Sequence, residues 1–152
     1  MMMYRLILLV AVSLLLTACA GAPPATPTPT TAAPQPQATL SLDPAVIEAE
    51  YAALPAGNAE TGKQLFSGRG CVACHSLEEG VRVVGPSLAG LATRAATAEP
   101  DLSAAVYLYK SITRPNATVT EGFAAGLMPQ NFKDTLEPQD LADLIAYMLT
   151  LE

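Results

Sequence analysis

The run Cys71-Val72-Ala73-Cys74-His75 constrains this chain more than any other feature. Two thiols three positions apart can each add to a vinyl group of a haem, and the histidine that follows then lies where it can ligate the iron. C-x-x-C-H is the attachment pattern of a c-type haem. The sequence therefore predicts one covalently attached haem c, with Cys71 and Cys74 in thioether bonds and His75 as an axial ligand.

Other uses of a C-x-x-C pair are half of a zinc site, a thioredoxin-like redox pair and a small disulfide. The whole chain has three Cys and one His, so the further soft ligands that zinc needs are missing. A thioredoxin-like pair belongs to a βαβ unit, and no strand pattern precedes Cys71. The sequence therefore favours haem attachment.

Residues 1–18 have the features of a secretory signal peptide. Arg5 precedes an apolar run over residues 6–16 that is shorter than the roughly 20 residues of a membrane span. The tetrapeptide Leu16-Thr17-Ala18-Cys19 resembles the lipobox of bacterial lipoproteins, which implies an acylated Cys19 at the mature N-terminus. The alternatives are an ordinary signal cut nearby and an uncleaved anchor. We expect an extracytoplasmic protein anchored to a membrane by lipid on Cys19.

Residues 19–42 form a second region that is rich in Pro and Thr and carries no charge. Such a segment cannot offset its ordering entropy by packing, so we expect a disordered tether. Two alternative roles for this segment are a flexible link between the lipid and the domain and a simple spacer. Both predict disorder. Residues 43–152 are long enough for one domain.

Helix signals dominate residues 43–152, and no convincing strand pattern occurs there. The predicted helices and their capping signals are 44–51 after Asp43, 59–67 after Asn58, a helix from Asp101 or Ser103 to 113, and 138–149 from Pro138. Residues 81–90 and 116–134 are rich in Gly and Pro and are predicted to be loops.

Residues 57–152 resemble the monohaem class I cytochrome c domain. The resemblance lies in the first helix, 59–66, in the last helix, 140–148, and in the loop Gly85-Pro86-Ser87-Leu88-Ala89-Gly90. It implies an all-α cytochrome c fold, with about four to five helices around the covalently bound haem and extended Gly/Pro-rich loops. It also implies that the carbonyl of Pro86 receives the second ring N–H of the ligand histidine, which fixes the tautomer and orientation of His75.

The second axial ligand can be argued from residue counts. His75 is the only histidine, which excludes two histidine ligands unless a partner supplies one, and signal removal leaves Met128 and Met148. Met148 lies on the apolar face of the predicted last helix, where a core role is expected. Met128 lies in Gly126-Leu127-Met128-Pro129, which resembles the ligand loop of the family. We expect Met128 to ligate the iron; the alternative is a loop methionine packed on the haem edge.

Charge limits the possible partners. The net charge of −6 argues against nucleic acid, against electrostatic binding to anionic lipid, and against a lysine-ringed docking face. Two alternatives are open for Arg69 and Lys133: each side chain is simply solvated, or it borders the exposed haem edge or a haem propionate. Of Tyr107 and Tyr109, which cannot share a helix face, one is a candidate to pack on the haem.

Iron with both axial positions filled predicts outer-sphere electron transfer, with no catalytic residue and no small-molecule substrate. The leading hypothesis is a membrane-tethered carrier of single electrons between membrane redox complexes, from a quinol-oxidising complex to a terminal oxidase or photosynthetic reaction centre. One alternative is a fixed haem subunit of a larger complex such as alternative complex III. Another is a haem enzyme or gas sensor with a labile sixth ligand.

Overall fold

The computed structural model describes residues 40–152, in which all regular structure is helical. The α-helices are α1 (Pro44–Ala52), α2 (Ala59–Gly68), α3 (Leu91–Ala98), α4 (Ala104–Thr113), α5 (Phe132–Thr135) and α6 (Pro138–Met148), and a short 3-10 helix spans Cys71–Ala73. The all-α prediction is confirmed for this part of the chain. The predicted signal peptide, Cys19 and the tether as far as residue 39 lie outside the described residues. Within residues 40–152, no helix has both the length and the apolar character needed to cross a membrane.

Four helices begin where the sequence predicts. The side chain of Asn58 accepts a hydrogen bond from the Thr61 amide, and the side chain of Ser103 accepts one from the Val106 amide. Ser103, rather than Asp101, is therefore the cap of α4. Each of these caps satisfies an amide that has no partner within its helix.

Two helices were not predicted, so the described residues hold six α-helices instead of four to five. Helix α3 follows Gly90, whose φ of 64° is left-handed, and no side chain caps it, so its start carries no capping signal. The prediction of an unbroken loop over 116–134 was wrong at its end, because α5 begins at Phe132. The side chain of Phe132 packs on the hydrophobic core. A helix of four residues is too short to show a periodic apolar pattern, so its sequence does not indicate this contact.

Helices α2 and α6 cross at very close range. A Cβ added at Gly62 would lie 1.9 Å from the carbonyl oxygen of Asp143, so only glycine allows this approach. One turn further along, the rings of Phe66 and Tyr147 are 5.6 Å apart between centroids. Because α2 ends at Gly68, this crossing positions the C-x-x-C-H segment that follows.

Helix α1 packs on α4. Ile47 is 1% exposed and belongs to the hydrophobic core. The rings of Tyr51 and Tyr109 meet edge to face with centroids 6.2 Å apart. Helix α1 is therefore an integral part of the domain.

Candidate functional site

A largely apolar cavity brings together the Cys, His and Met residues that the sequence analysis selected. Cys71, Cys74, His75, Pro86 and Met128 all line it. The space free of protein atoms, including the open mouth, is about 1460 Å³. A concave, mostly apolar cavity with a few polar groups is typical of a cofactor site. Its apolar walls include Phe66, Leu88, Leu91, Leu108, Ile112, Phe132 and Leu144.

The C-x-x-C-H segment is tightly coiled. The carbonyl oxygen of Cys71 accepts hydrogen bonds from the amides of Cys74, at 3.1 Å, and His75, at 2.9 Å. Gly70 enters this turn with a left-handed φ of 81°, which a side chain would oppose. The coil brings both thiols and the imidazole to the wall of the same cavity.

The ring of His75 is oriented by a backbone acceptor. Nδ1 lies 2.9 Å from the carbonyl oxygen of Pro86. A carbonyl oxygen can only accept, so Nδ1 carries the proton and donates it. The other nitrogen, Nε2, then keeps its lone pair, which is the form of imidazole that ligates a metal.

Gly85 forms a flat surface beneath the same ring. A Cβ added there would lie 2.6 Å from Cε1 and 2.9 Å from Nδ1 of His75. The Gly85 amide also donates to the carbonyl of Cys74 at 2.8 Å, which ties this loop to the C-x-x-C-H segment. The imidazole is therefore held between a glycine backbone and a carbonyl oxygen.

Cys71 and Cys74 are not joined in a disulfide, so both sulfurs are available for thioether bonds. Burial raises the pKa of the Cys71 thiol above its ordinary value, and the neighbouring Cys74 acts in the same direction. The neutral form of this thiol is therefore favoured in the apolar cavity.

Met128 lies on a long segment that is clamped on either side of it. The Asn116 side-chain oxygen accepts a hydrogen bond from the Gly126 amide at 2.7 Å. The Gln130 side-chain amide donates to the carbonyl of Met128 at 2.7 Å. Met148 also lines the cavity from α6, although only 8% of it is exposed. Both methionines of the described residues therefore reach this cavity.

The four residues that the sequence left open have distinct positions. Tyr107 lines the cavity, whereas Tyr109 is buried against α1. Arg69 lines the cavity and forms an ion pair with Asp140. Lys133 forms an ion pair outside the cavity lining.

Exposed apolar side chains occur in the loops that line the cavity. We define the rim as the large apolar residues that line the cavity and are at least 40% exposed: Val84, Val119 and Leu127. Arg82 connects two of the loops, because its guanidinium lies 4.3 Å above the ring centroid of Phe123 and donates to the Gly122 carbonyl at 2.7 Å.

The donor set fits a haem. One imidazole with a free Nε2, one or two thioether sulfurs and two thiols share a largely apolar cavity. No group of three or more His, Cys, Asp or Glu residues that could hold a metal ion by themselves occurs in residues 40–152. A haem c would be held by the two thiols, and the imidazole and a thioether would be available as iron ligands. Sequence reasoning missed the roles of Gly85 and Asn116, which act only through contacts that folding creates.

Comparisons with known proteins agree with this site. The family model for cytochrome c matches residues 59–152, which is more than half of the chain. A cytochrome c from Euglena viridis is 32% identical over 107 residues, which cover 63% of this chain and 99% of the relative. Membership of this family implies covalently bound haem c and the all-helical fold described above. With more than half of its length matched, the chain belongs to the cytochrome c family and is an electron-transfer haem protein.

Proposed function

We propose that this protein is a membrane-tethered monohaem cytochrome c that carries single electrons between membrane redox complexes. The observation that carries the proposal is the convergence of His75 and Met128 on one cavity with Cys71 and Cys74. When bound, the haem supplies a couple between ferric and ferrous iron, whose potential is raised when a thioether ligates opposite an imidazole.

Each residue of the site then has a separate task. Cys71 and Cys74 hold the macrocycle through thioether bonds. His75 binds iron through Nε2 while its Nδ1–H donates to Pro86, which keeps the ring in one tautomer. Met128 would supply a thioether ligand to the iron and, by occupying that site, would exclude oxygen, peroxide and other small ligands. Electron exchange without substrate binding follows from that exclusion.

The apolar rim supports docking of redox partners at the cavity mouth. Val84 and Leu127, which both line the cavity, are 45% and 50% exposed. Short-lived electron-transfer complexes bury little surface, so a small apolar patch without a strong charge pattern suffices. The acidic chain offers no ring of lysines for this purpose.

Membrane attachment is the part of the proposal that rests on residues 1–42. A lipid on Cys19 and a Pro/Thr-rich tether would keep the haem domain near its partners outside the cytoplasm. Replacing Cys19 with Ser should release the protein from membranes into the soluble fraction. Retention of this variant in membranes would contradict lipid anchoring.

Fractionation in mild detergent separates a carrier from a fixed subunit. A carrier should elute as a small protein and should be reduced and reoxidised reversibly by added quinol-oxidising and oxidase membranes. Stable co-elution with large membrane subunits would contradict the free-carrier proposal and establish the second candidate, a subunit of a complex such as alternative complex III. The exposed rim favours that candidate as well, because it would bury these side chains permanently.

A further inference from the structure

A partly buried charge cluster involves a residue that precedes the family match. We define the Glu50 cluster as Glu50 on α1, Tyr109 and Arg114 at α4 and its end, and Lys133 on α5. Both carboxylate oxygens of Glu50 accept hydrogen bonds. Oε2 accepts one from the Tyr109 hydroxyl at 3.1 Å and one from the Arg114 guanidinium at 2.6 Å. Oε1 accepts from Lys133 at 2.5 Å.

Two of these partners are the boundaries of one segment. We define the Met128 segment as residues 115–132, between Arg114 and Lys133. The single carboxylate of Glu50 therefore contacts both ends of the segment that carries Met128. Closing such a loop restricts its conformations without any contact to its middle.

Arg114 is a firm attachment point. Only 3% of its side chain is exposed. Besides Glu50, its guanidinium donates to the carbonyl of Ser41 at 2.8 Å and to the Thr113 hydroxyl at 2.9 Å. Buried arginine is costly to leave without partners, so this end of the segment is fixed to α1 and to the residues before it.

The interior of the Met128 segment forms few backbone hydrogen bonds within itself, and side-chain bonds involving Asn116, Gln130 and Arg82 supplement them. Its backbone hydrogen bonds include one from Ala117 to Arg114 and one from Phe123 to Thr120. Gly122 and Gly126 have left-handed φ values of 81° and 80°. Such φ values do not belong to a regular helix or strand. With no regular helix or strand between residues 115 and 131, the position of Met128 depends on how the two ends are held as well as on these side-chain bonds.

The ionic state of the cluster agrees with its geometry. Partial burial alone would raise the pKa of Glu50. Hydrogen bonds from Lys133, Arg114 and Tyr109 outweigh burial and hold the pKa below its ordinary value. The carboxylate is therefore charged near neutral pH and keeps all three partners.

We propose that Glu50 is a positioning residue for Met128: its carboxylate, through Arg114 and Lys133, holds both ends of the segment that brings the methionine to the cavity. The inference rests on the proposed role of Met128 as an iron ligand. It assigns to α1, which precedes the cytochrome c match at residue 59, a task in keeping the sixth position closed.

The test compares Glu50→Gln with Glu48→Gln in the full chain, purified in mild detergent. Glu48 lies on the same helix, is exposed, and belongs to none of the ion pairs of residues 40–152. The first measurement is the rate at which ferric protein binds added imidazole, which reports release of the methionine. The second is hydrogen exchange of residues 115–132 followed by mass spectrometry.

Glu50→Gln should raise the imidazole rate on the order of tenfold, the factor that corresponds to about 1.4 kcal/mol, and speed exchange in the Met128 segment. Glu48→Gln should change neither. Lys133→Gln removes the ion pair at only one end of the Met128 segment, so it should give a smaller effect of the same kind. This variant replaces Glu50→Gln in the test if Glu50→Gln does not fold. Equal behaviour of the Glu50 and Glu48 variants in both measurements would overturn the inference.

A separate comparison tests the proposal that Met128 is the iron ligand. If wild-type protein binds imidazole as fast as Met128→Ala, Met128 is not the ligand, and the positioning of an iron ligand by Glu50 falls with it. If Met128→Ala is fast and wild type is slow, the ligand stands. An unchanged imidazole rate together with unchanged exchange in Glu50→Gln would then overturn the Glu50 inference alone.

Discussion

Gly62 in α2 lies directly against the backbone carbonyl of Asp143 in α6, with no space for a methyl group between them. The same Asp143 is 4% exposed and accepts hydrogen bonds from the Asn58 amide and from the Gln139 side chain. The helix crossing that precedes the haem-attachment segment is thus fixed by a backbone contact and by a satisfied buried carboxylate.

Gly62→Ala should therefore destabilise the domain strongly. A Cβ would meet a backbone oxygen that cannot turn away, so the helices must separate, at a cost on the order of 3 kcal/mol. Urea unfolding of the haem-loaded protein measures the loss. Gly68→Ala is the matched control, because a Cβ there would meet nothing within 4 Å. Equal stability of the two variants would contradict the close crossing.

Gly85→Ala should change the orientation of His75, the proposed iron ligand. The added Cβ would lie 2.6 Å from the ring of His75, so the imidazole must tilt and lengthen its bond to the Pro86 carbonyl. We expect an altered optical spectrum, a shifted reduction potential and a stability loss of about 1–3 kcal/mol. A spectrum and potential equal to those of wild type would show that Gly85 does not orient this ring.

Glu99 should make the domain sensitive to acid. Burial alone would raise its pKa, but hydrogen bonds from Lys110 and Thr118 hold the pKa below its ordinary value of 4.5. A lowered pKa in the folded state means that the stabilisation is complete above pH 4.5 and is lost as pH falls through the folded value.

Glu99→Gln should thus lower the free energy of unfolding near pH 7 by about 1–3 kcal/mol, because it removes the carboxylate that pairs with the largely buried Lys110. The difference from wild type should shrink as the pH falls below 4.5. Unfolding curves at several pH values measure it, with the exposed Glu79→Gln as control. A difference that does not depend on pH would contradict this account.

Met128→Ala and Met148→Leu separate the two methionines of the cavity. Loss of the thioether ligand should lower the reduction potential and allow carbon monoxide to bind ferrous iron. Met148→Leu keeps volume and apolar character on α6 and should leave both properties near those of wild type. Redox titration and carbon monoxide titration decide the assignment. The reverse pattern would make Met148 the ligand.

Local signals account for what could be predicted. The C-x-x-C-H segment is a contiguous pattern, and Asn58 and Ser103 act on amides three residues away. Helix α3 has no capping side chain, so nothing local marks its start. These elements show that the predictable part of the fold is the part determined within one helical turn.

Long-range contacts account for what could not be predicted. Glu50 meets Arg114 and Lys133, which are 64 and 83 residues away along the chain. On sequence alone it is an ordinary helical glutamate. The prediction that Met128 is a ligand rests on the small number of methionines in the chain and on the resemblance of its loop to that of a known family.

The most direct test of the central claim is the optical spectrum of the purified protein, oxidised and reduced, with and without carbon monoxide. Iron held by His75 and Met128 predicts a low-spin spectrum, an iron–methionine charge-transfer band in the oxidised form, and a reduced form unchanged by carbon monoxide. Ready binding of carbon monoxide to the wild-type protein would contradict the account, because the sixth position would then be open or labile, as in a haem enzyme or gas sensor.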